Sequence, residues 1–234
     1  MKFSKNVFIV LFLFTSLTAC GGGEENNPVL SAQELTQQLS DISEGNGVVM
    51  TRDNTSADSR SQWLKQIIQD ALFAAIEIQN TALQSSSSST LNESNVQITG
   101  QQGTATGNVT GKYEGDNTSG SFNFNIPTKY ADYLRTTDLT LNGSSTYDVE
   151  ASGSSASIDA KVRFSALLSM SGQYGAKVAW DLKTGLHTEG SGSNASTQSS
   201  VEGSAVIISV DNKFICRFST SSGSSGDELK VDCE

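Results

Sequence analysis

The chain changes its hydrophobic rhythm once, and the change divides it. Between residues 31 and 84 apolar positions recur every three or four residues, and from about residue 94 they alternate. The first rhythm is that of amphipathic helices, the second that of strands with one buried face. The stretch "LSAQEL" at 30–35 is a helix start: Ser31 can cap, Glu34 completes a capping box, and Leu30 and Leu35 are placed as the hydrophobic staple around it. Leu35, Leu39 and Ile42 continue at helical spacing, and Gly45 is placed to end that short helix. Residues 45–58 read as a polar loop. A longer helix is expected over Ser59 to Gln84, with Ser59 and Gln62 as its capping box. Trp63, Leu64, Ile67, Ile68, Ala71, Leu72, Ala75 and Ile76 share one side, and Gln62, Gln66, Gln69, Asp70 and Glu77 the other. That apolar arc spans roughly 200°, about twice the minimum stripe of a surface helix. A helix apolar over so wide an arc calls for a concave partner. Five serines at 85–89 read as a linker.

The alternation is clearest at 156–171. Ile158, Ala160, Val162, Phe164, Ala166, Leu168 and Met170 face one way, with Asp159, Lys161, Arg163, Ser165 and Ser169 opposite and Leu167 the one apolar intruder. Tyr174, Ala176, Val178, Trp180 and Leu182 repeat the pattern against Lys177, Asp181 and Lys183, and Phe122, Phe124 and Ile126 repeat it against Ser121, Asn123 and Asn125. Gly, Ser and Asn clusters punctuate the runs as turns require. Strands with no helices between them pair antiparallel, and strands this long twist and coil. The expected fold is mainly β (α+β): a curved antiparallel sheet or partial β-barrel, a short and a long N-terminal helix, and the long helix packed in the concave face. Val96–Gly100 resembles Leu139–Gly143, each a strand segment closed by a glycine kink, but no fixed period follows. Membrane-spanning barrels share the alternation; the wide helix and the scarcity of aromatic-rich strands argue against one here.

The N-terminus carries a different signal. Lys2 and Lys5 precede an uncharged run from Val7 to Leu17, too short to span a bilayer and of the length found in export signals. Leu17-Thr18-Ala19-Cys20 resembles the lipobox of bacterial lipoprotein precursors, a resemblance confined to the first 20 residues. It implies cleavage before Cys20 and acylation of that cysteine, and Gly21 in place of an aspartate implies an outer-membrane address. More than one acyl chain is needed for stable anchoring. The expected organisation is a signal peptide at 1–19, a flexible tether at 20–30, a helical segment with a Ser-rich linker at 31–93, and the β-sheet at 94–234, the last two forming one globular domain.

Charge and cysteine count narrow the chemistry. Of 234 residues, 25 are acidic and 15 are Lys or Arg; loss of the signal with Lys2 and Lys5 moves the formal charge from −10 to −12. Such a surface disfavours nucleic acid. With Cys20 lipidated, Cys216 and Cys233 remain, and an exported compartment permits their pairing. In an antiparallel hairpin that bridge also sets Phe218 opposite Val231 and Thr220 opposite Leu229, with 221–228 as the connecting loop.

No catalytic set stands out. His187, the one histidine, follows a turn expected at Gly185 and reads as an exposed loop residue. The acid pairs Asp148/Glu150 and Asp227/Glu228 have the residue types of glycosidases, but any acidic protein contains such pairs. The run Asp53–Asp58 only faintly echoes a calcium loop, lacking its glycine and closing glutamate. The Asn-x-Ser/Thr sequences at Asn54, Asn92, Asn108, Asn117, Asn142 and Asn194 follow from composition. Neither a metal nor a cofactor is expected. The residues indicate a membrane-anchored envelope lipoprotein with a non-enzymatic binding or structural role, its partner an envelope protein, a glycan or a lipid. A carrier of an apolar, lipid-like ligand in a half-barrel is the alternative, and a carboxylate-based hydrolase comes last.

Overall fold

The computed structural model describes residues 28–234 apart from 87, 116–118, 136–137, 155, 190–195 and 224–225. Nine antiparallel strands form one meander: β2 (Thr90–Thr99), β3 (Gln102–Gly115), β4 (Ser119–Leu134), β5 (Leu139–Ser154), β6 (Ser157–Gly172), β7 (Tyr174–Glu189), β8 (Ser196–Ser209), β9 (Asn212–Gly223) and β10 (Gly226–Cys233). Each pairs with the next in sequence. Preceding them are α1 (Ala32–Gln38), a 3-10 turn at Leu39–Asp41, the two-residue strand β1 (Val48–Val49), which pairs parallel with β7, and α2 (Ala57–Ser85). No helix among the described residues is long and apolar enough to cross a membrane.

The sheet is open and curved, and α2 lies in its hollow, touching both edge strands, β2 and β10. Bulges supply the bend: the register shifts at Glu93/Val96, Gln102/Thr104 and Tyr130/Tyr133, with Asn95 and Asp132 at positive φ. Gly143 stands mid-strand in β5 at φ +125°, paired with Tyr130 at the β4 bulge, and a Cβ there would stand 2.3 Å from the Leu167 carbonyl oxygen. Gly100, its counterpart in the resemblance noted above, lies instead just beyond β2 in the turn to β3.

Alternation holds along the strands. Ala160, Phe164, Ala166, Leu168 and Met170 are buried with Val178, Trp180 and Leu182 against Leu64, Ile67 and Ile68 of the helix in one core. Tyr147, Phe164 and Trp180 stack edge to face across three strands, at 6.0 and 5.4 Å between ring centres. Inside the hollow, Tyr130 Oη donates to the Ala71 carbonyl oxygen at 3.1 Å and lies 2.8 Å from Ser145 Oγ. Burial raises the Tyr130 hydroxyl well above its usual pKa, against an opposing effect of Ser145. The sheet is apolar inward and polar outward, the reverse of a membrane-spanning barrel.

Three expectations about the helical region change. The long helix starts two residues before Ser59, because Ser56 is the cap, accepting from Ser59 N–H at 3.1 Å. Thr55 closes the preceding turn onto the Thr51 carbonyl and delivers Ser56 in extended conformation, so the first turn forms on Ala57 and Asp58. The Ser31–Glu34 capping box is present, and Leu30 packs with Leu35. The short helix, however, tightens at Leu39–Asp41 and ends at Ile42. Gly45 is not its cap; it is where the chain presses on the sheet, and a Cβ there would meet the Met170 carbonyl oxygen at 2.0 Å. The polar stretch 45–58 contains β1, and the first long strand begins at Thr90 rather than 94.

The chain straddles the sheet. α1 lies on the outer face across β7 and β8, where Leu35 and Leu39 form a small second core with Ala179 and Val206. Leu167 packs against this cluster, which accounts for the apolar intruder on a polar face. The chain then crosses the rim beside Gly172 and Ser209 and enters the hollow as α2.

Candidate functional site

The outer face of β3–β6 carries a shallow groove of about 640 Å³, continuous with a smaller depression of about 220 Å³. Register explains it. Lys112, Asn123, Glu150 and Lys161 stand in one row across four strands, and Glu114, Ser121, Ser152, Asp159 and His187 in the next. These are the polar halves of the alternation. Lys112 pairs with Glu114 along β3, and its backbone N–H donates to Asn123 Oδ1 at 3.1 Å. Asn125 donates its amide to Asp148, which faces Arg163 across the strands. Oppositely charged neighbours on adjacent strands support the sheet in this way.

His187 stands at the end of the second row. It does not lie in a loop: Gly185 and His187 are both inside β7, paired to Lys161 and Asp159 of β6. The expected turn fails because neighbouring strands continue on both sides and hold Gly185 extended. The His187 Nδ1 is 2.6 Å from Asp159 Oδ1, and Nε2 is 3.5 Å from Glu189 Oε1. The Asp159 contact, with a smaller effect of Glu189, raises the imidazole pKa. An acyl-transfer triad needs a serine or cysteine at the second nitrogen; here a carboxylate stands there.

Beside the groove lies a contact with no forecast in the alternation. Asp181, on the nominally exposed face, is fully buried. Arg163 Nε and Nη2 donate to its two oxygens at 2.9 and 2.6 Å, and the Leu30 N–H donates to Oδ2 at 2.9 Å. Arg163 Nη2 also reaches the Pro28 carbonyl oxygen at 3.4 Å. The N-terminal segment is thus latched to the outer face, next to the groove.

The other sequence-derived sites are distributed. Cys216 and Cys233 are joined, with S–S 2.04 Å and register partners as expected, Phe218 opposite Val231 and Thr220 opposite Leu229. The connection is shorter than 221–228, because pairing continues to Gly223 and Gly226. Cys20 lies outside the described residues, as do Asn117 and Asn194. Asp148 and Glu150 both line the groove, opposite Arg163 and Lys161. Asp227 and Glu228 belong to β10 on the far edge of the sheet. Three of the asparagines brace backbone: Asn54 closes the turn at Thr51, Asn108 accepts from Asn95 N–H at the β2 bulge, and Asn142 holds Asp132 at the β4 bulge. Asn92 is exposed on β2. The run Asp53–Asp58 builds the cap of α2. Among the described residues, no three His, Cys, Asp or Glu side chains gather as a metal-binding group. No protein family, curated protein or solved structure matches this chain.

Proposed function

We propose that this chain is a cell-envelope lipoprotein, acylated at Cys20 and held on the outer membrane, with a non-enzymatic binding or structural role. The observation that carries the reading is the filled hollow. The concave face of a half-barrel is where a carrier would hold an apolar ligand, and here the chain's own helix packs its apolar arc into it. That weighs against the carrier reading and leaves the polar outer groove as the surface for recognition. Its Lys, Asn, Ser and carboxylate groups suit a hydrogen-bonding partner, an envelope protein or a glycan. The latch at Asp181 and Arg163 gives the preceding segment a defined point of departure beside that groove, as a tethered receptor needs. Membrane fractionation of Cys20→Ser against the parent chain tests the anchor. The parent should sediment with membranes and carry a lipid mass on Cys20, whereas Cys20→Ser should remain uncleaved and lack that mass. Cleavage at another residue with no lipid adduct would sink the proposal.

A further inference from the structure

Four large apolar side chains are exposed among the described residues, and three of them share one rim of the sheet. Val48 and Val49 form β1 beside Tyr174 and Gly175, and Val210 tips the turn between β8 and β9. Ser209 stitches the two together: its hydroxyl donates to the Gly175 carbonyl oxygen at 2.7 Å and accepts from Met50 N–H at 2.9 Å. The fourth exposed side chain, Phe73, belongs to α2 and lies under the Arg135 guanidinium at 4.3 Å.

Val210 is unusual in a second way. Its φ of 51° is in the left-handed region, where a β-branched residue is a true outlier. Glu44 holds it there, accepting from Val210 N–H at 2.8 Å. Val210 is nevertheless 53% exposed, so the strain is not repaid by burial within the chain. Strain of this kind points to a surface with a use.

We infer that this rim, led by Val48, Val49 and Val210, seats in the headgroup layer of the bilayer that holds the lipid anchor. The inference rests on acylation of Cys20. Cys20 and Pro28 are eight residue steps apart, a reach of about 26–29 Å when extended. Pro28 sits at Asp181 and Arg163, and the rim at Gly175 is six residues along β7, about 20 Å away. The tether therefore lets the rim meet the membrane that holds Cys20. Counting Arg52, Arg135 and Lys213 against Glu44, Asp53, Asp138 and Asp211, the turns of this rim carry a formal charge of 3 − 4 = −1, so little net charge opposes a zwitterionic surface. Three valines would bind weakly alone; attachment to the same bilayer makes the contact intramolecular.

The test uses the full acylated chain in phosphatidylcholine vesicles with brominated acyl chains. Val48→Trp reports from the rim, Val49→Trp provides a second reporter on the same strand, and Ser152→Trp reports from the outer groove. Intact mass of the same sample reads acylation. The rim reporters should lose roughly half of their added emission, as expected for insertion at the headgroup boundary, and Ser152→Trp should keep its own. An acylated chain whose rim reporters are unquenched, or quenched no more than Ser152→Trp, overturns the rim while leaving the anchor standing. A chain without acyl mass overturns the lipoprotein reading itself.

Discussion

At the scale of single residues, two positions carry measurable consequences. His187 is the chain's one histidine, so its titration is readable without assignment. Its folded pKa lies above the ordinary value of about 6.5, chiefly through Asp159. The pairing therefore favours the charged ring: its stabilising effect is complete below about pH 6.5 and is lost as pH rises through the folded value. An NMR titration should place the midpoint above that of a free histidine, and Asp159→Asn should bring it back down. A midpoint at or below the free value would mean that the contact does not persist in solution. Val210 tests strain. Because its side chain is exposed, Val210→Gly should remove the left-handed penalty at little loss of packing and raise stability by about 1 kcal/mol. Thermal melts of the two proteins decide it.

Among the elements, the C-terminal hairpin was the most legible from sequence. Two cysteines at a period of two, with apolar residues at matching positions, admit one register, and that register is present. The bond closes a sequence separation of 17 residues, for which the chain-entropy estimate is about 3 kcal/mol. Cys216→Ala with Cys233→Ala should lower stability by about that amount in urea titrations, with the midpoint moving and the fold retained. The start of α2 was less legible. Ser56 and Ser59 each have the chemistry of a cap, and only the turn at Thr51–Thr55 selects the first. Gly185 misled for a related reason: glycine marks turns in isolation, but ladder hydrogen bonds from both neighbours hold it in β7.

For the whole molecule, α2 is the element that binds the sheet's two edges together, since β2 and β10 both pack on it and do not pair with each other. Ile68 of α2 is 3% exposed, within the core that the helix forms with the sheet. Ile68→Asp would bury a charge without a partner, at several kcal/mol, a large share of a domain's stability. Hydrogen exchange should then show β2 and β10 losing protection together. Protection lost in one edge alone would mean that the edges are held independently. The outer face depends on a second long-range arrangement: a segment some 150 residues earlier in the chain buries Asp181 and satisfies it with the Leu30 N–H.

Spacing along the chain was enough to say which strand residues face inward, where the short helix is capped, which cysteines pair and that a wide apolar helix needs a hollow. Each of these depends on spacing within a few residues or on a count of two, and such information is local. Tertiary structure alone decided which polar-face positions are covered, that Leu167 and Asp181 lie under the N-terminal segment, that His187 meets Asp159 across two strands, and that Val48 and Val210 share a rim. A period of two records the face on which a side chain stands. It does not record what distant segment comes to lie over it, because that is set by the path of the chain from the outer face, over the rim and into the hollow.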